Sequence, residues 1–411
     1  MACLFSRCYE VVGFDLSARR IDELNRGYDH GGDVPSSEIR DMLDRGGVLT
    51  TDLEALRTCN FYVVVVPTPV DEKCRPNVSF IREASREVGS VLTKGDVVVF
   101  ESTVYPGATE EICVPALEEA SGLVFNEDFY VGYSPERINP GDRAHMLANV
   151  VKVTSGSTPE AAKFIDSVYA SVLGEGNTWL ASSLRVAEAT KVIENTQRDV
   201  NIAFMNEIAQ ILDAMDIDTT EVIEAMNTKW NALGFRPGLV GGHCIGVDPY
   251  YLIECAAAKG LAANLMMTAR SINNSMPAFV TGKVIQLMKD SGIEPRQARV
   301  LLLGFTFKEN CPDVRNTKVY EICRMMRAYT DNLTVYDPWA NKERVRQMYG
   351  VEICTEEAEF EGETFDVIVL CVAHELFREF DLEAHRAPNS ILYDVKGFFP
   401  SDAYRDGWAK R

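Results

Sequence analysis

Apolar and polar positions follow two rhythms along this chain. Short β-branched runs are separated by stretches in which apolar residues return every three or four positions. "YEVVGFD" (9–15) predicts a strand and "SARRIDELNRG" (17–27) a helix stopped at Gly27. "FYVVVVPTP" (61–69) predicts a buried strand with a proline-marked end, "SFIREASREVGSVL" (79–92) a helix, and "DVVVFESTV" (96–104) another strand. Strands alternating with helices predict βαβ units around a parallel sheet. "FYVGYSPER" and "VVKVTSG" extend this unit to about residue 180.

The texture then changes. Residues 182–216 hold neither Gly nor Pro, and their period predicts one long helix. More helix is expected to about residue 290, after which "ARVLLLGFTFKEN" (298–310), "NLTVYDPW" and "FDVIVLCVAH" restore the α/β rhythm. The 411 residues exceed one ordinary domain. The organisation expected is α/β, helical middle, α/β, with a cleft between two parallel sheets. A helix as long as the central one commonly links domains or forms an oligomer interface. Ligands of such sheets sit at the carboxyl ends of strands. The strand-end motifs are "VPTP", "ESTV", "SPER" and "GFTFKEN", although ordinary turn residues account for each one taken alone.

Composition narrows the classes. A net charge of −20 argues against a general nucleic-acid binder, while leaving room for a local basic pocket for a phosphorylated small molecule. No stretch approaches the roughly 20 apolar residues of a membrane span. The start, "MACLFSRCYE", lacks the basic and apolar regions of a secretory leader. The eleven cysteines are scattered, without C-x-x-C or zinc spacing. That pattern leads us to expect reduced thiols in the cytoplasm and no metal site.

Some polar residues stand out. Asp15 ends the first strand, where a carboxylate can bind an adenosine ribose, and Arg20 follows one helical turn on. Lys191 and Asn195 are four positions apart and share a helix face. Spacing alone makes Lys191 a solvated lysine, with Glu188 and Glu194 as surface ion-pair partners. Asp248-Pro249 reads as a helix N-cap followed by proline at the first turn. Cys244 lies just before it, behind Gly241 and Gly242, which permit close approach of backbone or ligand. A nearby helix start favours a thiolate. A small buried side chain accounts for the other cysteines. His243 is a poor partner for Cys244, because adjacent residues seldom point the same way.

Five segments, "ESTVYPGATEE", "GYSPERINPGD", "RVAEATKVIENTQRDVNIAFMNE", "RPGLVGGHCIGVDPYYL" and "GFTFKENCPDVRNT", occur in order along nearly the whole chain. They closely resemble the nucleotide-sugar 6-dehydrogenases of the UDP-glucose/GDP-mannose dehydrogenase family, in its N-acetylhexosamine branch. The resemblance implies two Rossmann-like parallel-sheet domains joined by a long central helix and a helical middle domain. The expected domains are residues 1–181 for NAD, 182–295 for the centre and dimerisation, and 296–411 for the UDP-sugar. It implies two NAD-dependent oxidations of a sugar C6 alcohol to the acid, in making polysaccharide precursors, while the long central helix leads us to expect a homodimer or higher homo-oligomer. UDP-N-acetylglucosamine is the substrate expected, with UDP-N-acetylgalactosamine, UDP-N-acetylmannosamine and UDP-glucose as alternatives. By the same resemblance Cys244 is the nucleophile, and Lys191 and Asn195 stabilise the C6 oxyanion. Asp248 and Glu136 order or activate water, and Thr103 lies near C6 and the nicotinamide. Pro67, Thr68, Thr103, Asp15 and Arg20 are expected at the cofactor. Glu136, Arg137, Lys191, Asn195, Arg236, Gly241, Lys308 and Arg315 are expected at the substrate, with Lys308 and Arg315 suited to the diphosphate.

One feature departs from the family. No G-x-G-x-x-G occurs in this sequence. The first strand and pyrophosphate turn are expected to be missing, leaving a gap in the first sheet and placing NAD binding by the chain as written in question. Two further readings stay open on the residues alone. One is a catalytically silent relative that binds UDP-sugar or oligomerises. The other is a thiol hydrolase using Cys244 and His243, which lacks a third group.

Overall fold

The computed structural model describes residues 1–399 apart from His30, Gly32, Asp33, Glu72 and 139–149. The tail of "GYSPERINPGD" and the end of the last expected domain, 400–411, lie outside the described residues. The chain divides into two compact units, Met1–Glu194 with Tyr250–Ala262, and Asn195–Pro249 with Ala263–Arg411.

In the first unit the strands are β1 (Val12–Phe14), β2 (Val48–Thr50), β3 (Phe61–Val64), β4 (Val97–Phe100), β5 (Tyr130–Tyr133), β6 (Lys152–Thr154) and β7 (Thr178–Leu180). The helices that accompany them are α1 (Ala2–Phe5), α2 (Ala18–Asn25), α3 (Ser36–Asp44), α4 (Ser79–Val91), α5 (Val114–Ser121) and α6 (Pro159–Leu173). All strand pairs are parallel. The expected interruption is present: β1 pairs with β2, while β3, β4 and β5 form a separate sheet in that order. Every side chain of β4 is buried, as a strand covered on both faces requires. Local chemistry marks the helix starts. The Ser17 hydroxyl accepts from the Arg20 amide, and Thr158 does the same for Ala161 ahead of Pro159. Leu4 and Phe5 of α1 pack on one face of β4 against Val97, Val99 and Tyr169.

The long helix, α7 (Leu184–Ala214), realises the run without Gly or Pro, and the boundary between units falls within it. Then come α8 (Thr219–Asn227), α9 (Asp248–Ala258) and α10 (Asn264–Asp290). The second unit continues with β8 (Val300–Leu303), α11 (Val319–Met326), β9 (Leu333–Tyr336), α12 (Lys342–Tyr349), β10 (Phe365–Leu370) and β11 (Arg386–Asp394). Its sheet is continuous and parallel, in the order β11-β10-β8-β9. Side chains alternate across it. Val300, Leu302, Val367 and Val369 enter a core shared with α10, while Leu301, Leu303, Ile368 and Leu370 enter a second core with Phe360 and Phe377. No helix among the described residues is long and apolar enough to cross a membrane.

Candidate active site

In the first unit the strand ends gather polar groups. Asp15 follows β1 and accepts from the Ser17 amide at 2.8 Å. Arg20 reaches back to it at 3.8 Å and also to Asp29 at 3.4 Å. Asp29, which the sequence reading passed over, is buried and accepts from the amides of Gly31 and Val34. Beyond β3, Pro67 is exposed and Thr68 half-buried, and the Thr68 carbonyl accepts from the Tyr251 hydroxyl at 2.8 Å. Thr103, half-buried, follows Ser102 beyond β4; the buried Ser102 hydroxyl accepts from the Val66 amide and ties the ends of β3 and β4 together.

Lys191 is not a solvated lysine. It is 8% exposed, and its Nζ donates to the Glu136 carbonyl at 2.6 Å. The Glu136 carboxylate folds onto its own turn, accepting from the amides of Arg137 and Ile138 at 2.6 Å each. Arg137 pairs with Glu194 at 3.0 Å. The expected surface pairing of Lys191 with Glu188 and Glu194 is therefore corrected. Glu194 is taken by Arg137, and Glu188 is fully buried, accepting from the amides of Gly107 and Thr109. Burial pushes the Glu188 carboxyl up, against those hydrogen bonds, which hold it down.

In the second unit Cys244 lies in a half-buried turn whose carbonyl accepts from the amides of Val247 and Asp248. The turn is close-packed. A Cβ on Gly241 would lie 2.8 Å from the Asn316 carbonyl, and one on Gly242, at φ +79°, would lie 2.7 Å from the Phe307 ring. Only glycine fits there, so the Cys244 turn is seated against the segments bearing Lys308 and Arg315. Asn316 Nδ2 donates to the Gly242 carbonyl at 3.2 Å. Asp248 is 2% exposed, and its Oδ2 accepts from Asn195 Nδ2 at 2.5 Å, so this carboxylate does more than start a helix. Asn195 Oδ1 in turn accepts from Arg198 at 2.7 Å. Arg315 grips Asp313 with two nitrogens, the shorter contact 2.6 Å, and His243 lies 3.6 Å from the same carboxylate. Burial pushes the Asp313 carboxyl up, but the bonds and charge of Arg315 outweigh it and hold it below its ordinary value. Lys308 is half-buried and Arg236 exposed.

The residues at β1, β3 and β4 fit a dinucleotide in part. Asp15 is 41% exposed and can accept from a ribose diol, and Thr68 and Thr103 follow strand ends where the rest of such a ligand would run. Parallel α/β strands that end in an open carboxylate define a dinucleotide-linked class of enzyme. Comparison with known proteins extends this. Three models of one family match in succession: the NAD binding domain at residues 1–173, the central domain at 185–275 and the UDP binding domain at 301–401. The chain belongs to the UDP-glucose/GDP-mannose dehydrogenase family, NAD-dependent enzymes acting on nucleotide sugars. It is 47% identical over 405 residues, 98% of this chain and 94% of the relative, to UDP-N-acetyl-D-glucosamine 6-dehydrogenase of Pseudomonas aeruginosa. It is 45% identical, with the same coverage, to the enzyme of that name from Salmonella typhi. A solved UDP-D-ManNAc dehydrogenase from Pyrococcus horikoshii superposes with a TM-score of 0.88 at 30% identity, covering 100% of this chain and 95% of the other.

Proposed function

We propose that this dehydrogenase oxidises the C6 alcohol of a UDP-N-acetylhexosamine, UDP-N-acetylglucosamine foremost, to the uronic acid. The observation that carries the residue assignment is the buried Asn195–Asp248 pair at the start of α9, one turn beyond Cys244. NAD, when bound, supplies the acceptor for two hydrides, with Asp15, Arg20, Thr68 and Thr103 holding it. Lys191 and Asn195 stabilise negative charge on the C6 oxygen. The Cys244 thiolate adds to the C6 aldehyde and forms a C–S bond. At the thioester stage, water ordered by Asp248 and Glu136 attacks C6, the C–S bond breaks, and the thiolate is returned. Lys308 and Arg315 bind the diphosphate, with Arg137, Arg236 and Gly241 also facing substrate. The expected products are one uronic acid and two reduced cofactors per sugar.

Substrate choice is read from Ile245, Gly246 and Val247. A Cβ on Gly246 would make only ordinary contacts, the nearest 3.6 Å from the Val240 carbonyl, and its φ is not positive. Neither close packing nor turn geometry demands glycine there, which supports a role in making room for an acetamido group. UDP-N-acetylglucosamine should exceed UDP-glucose in kcat/KM by ~10-fold or more. Competing the two sugars in one reaction and quantifying both acids tests this; a preference for UDP-glucose would overturn the branch assignment. Cys244→Ser should lower acid formation by roughly 10³-fold. Undiminished acid from that variant, measured chromatographically, would remove Cys244 from the chemistry.

We further infer three functional segments with boundaries near residues 181 and 295, a cytoplasmic setting for a chain with scattered cysteines, and a homodimer formed through α7. Phe204 and Ile211, seven positions apart, are exposed on one stripe of that helix, and Met215 just past its end is exposed too, as an oligomer contact requires. Sedimentation of Phe204→Glu should show a shift toward monomer.

A further inference from the structure

Two strand ends and a helix of the first unit enclose an ion pair with almost no access to water. Glu101 follows β4, Lys152 opens β6, and Tyr169 lies on α6; they are 1%, 2% and 0% exposed. Lys152 Nζ lies 3.1 Å from Glu101 Oε2, and the Tyr169 hydroxyl donates to Glu101 Oε1 at 2.6 Å. Burial and the neighbouring Glu101 push the Tyr169 phenol well up, so it stays protonated and donates. Such a pair is a poor source of stability, because taking both charges out of water offsets most of their attraction. What it does instead is visible in the second polar contact of Lys152, a hydrogen bond to the Pro135 carbonyl at 3.2 Å. The next carbonyl, that of Glu136, is held by Lys191. Two consecutive carbonyls are thus each fixed by an ammonium group. Hydroxyls of Ser134 and Ser155 cross-link the same strand ends, to the carbonyls of Val153 and Tyr133 at 2.7 Å each.

We propose that Lys152, braced by Glu101 and Tyr169, is a positioning residue for the dehydrogenase reaction: it fixes the Pro135–Glu136 peptide, and through it the aim of the Glu136 carboxylate and the seat of Lys191. The inference rests on the roles given above to Glu136 and Lys191. The turn is short, so rotating its first peptide displaces everything attached to it, and a displacement of about 1 Å at reacting groups lowers rate by roughly 10²-fold.

The experiment separates positioning from folding. Lys152→Met strands a buried carboxylate and should lower both melting temperature and kcat. The double variant Lys152→Met/Glu101→Gln removes both charges, keeps an acceptor for Tyr169, and should regain most of the melting temperature. Its kcat should nonetheless stay about tenfold or more below wild type, with KM for the UDP-sugar within about threefold. A double variant with wild-type melting temperature and wild-type kcat would overturn the proposal. Should it not fold, Tyr169→Phe decides, since it removes only the hydroxyl behind Glu101. A lowered kcat at unchanged KM supports positioning, and unchanged kcat overturns it. Glu136→Gln is assayed beside them. Full activity there would sink the role of Glu136 itself, whereas an impaired Glu136→Gln beside a fully active, folded double variant would sink only the positioning role of Lys152.

Discussion

Two strands of this chain end in similar words: "VVGFD" closes β1 and "LTVYD" closes β9. The two aspartates have opposite fates. Asp337 is fully buried; it accepts from the amides of Phe305 and Thr306 at 2.6 and 2.8 Å, and from those of Trp339 and Ala340 at 2.8 and 3.0 Å. His374 Nε2 lies 3.1 Å from the same carboxylate, and its Nδ1 accepts from the Asn310 amide, which places the ring proton on the side facing Asp337. Asp15 keeps 41% of its side chain in solvent and accepts from one amide beside Arg20. The neighbouring strands account for the contrast. β8 lies beside β9, and the turn after β8 delivers two N–H groups to Asp337. Among the described residues β1 pairs with β2 alone. A strand-end aspartate is therefore a structural latch where an adjoining turn fills its lone pairs, and keeps lone pairs open to solvent where no such turn reaches it.

The sharpest way to break this comparison is Asp337→Ala. It leaves buried amides and His374 without their acceptor and should destabilise the protein by about 3–5 kcal/mol. A loss under about 1 kcal/mol by chemical denaturation would show that Asp337 is no latch. Asp15→Asn should leave the melting temperature unchanged and weaken NAD binding by about tenfold in calorimetry. A thermal loss approaching that of Asp337→Ala would erase the distinction between the two. Arg20→Ala should weaken NAD binding by about threefold, as expected of a partly exposed cation. The smallest effect is expected in the pH dependence. Burial pushes the Asp337 carboxyl up, but His374 and the amides outweigh it, so its folded value lies below its unfolded one. Its stabilising contribution is therefore complete above the unfolded value, at roughly pH 4, and is lost as pH falls through the folded value. The gap in melting temperature between wild type and Asp337→Asn should narrow as pH falls below that point. A gap that widens would reverse the sign.

Much of the fold is legible in the sequence alone. The run without Gly or Pro became α7, "DVVVFESTV" and "FDVIVLCVAH" became buried parallel strands, and Asp248-Pro249 opened α9. Short-range spacing carried these, because a helix or strand is fixed by neighbours a few positions away. The strands β2, β7 and β11 and the helices α3, α5, α6, α11 and α12 lie outside the segments read from the sequence, and so does Asp29, its partners being amides of an irregular loop.

By itself the sequence determined the order of elements, the two α/β regions, the family motifs and the set of residues that could do chemistry. The tertiary structure decided which charges leave water. Glu188 looked like a surface carboxylate until amides 81 and 79 positions away were brought to it. Lys191 looked solvated until a carbonyl 55 positions away received it. Asp15 and Asp337 read alike until β8 was placed beside one of them. The physical reason is range. Apolar periodicity is a local property of the chain, whereas the burial of a charge depends on which N–H or C=O group a distant segment delivers to it.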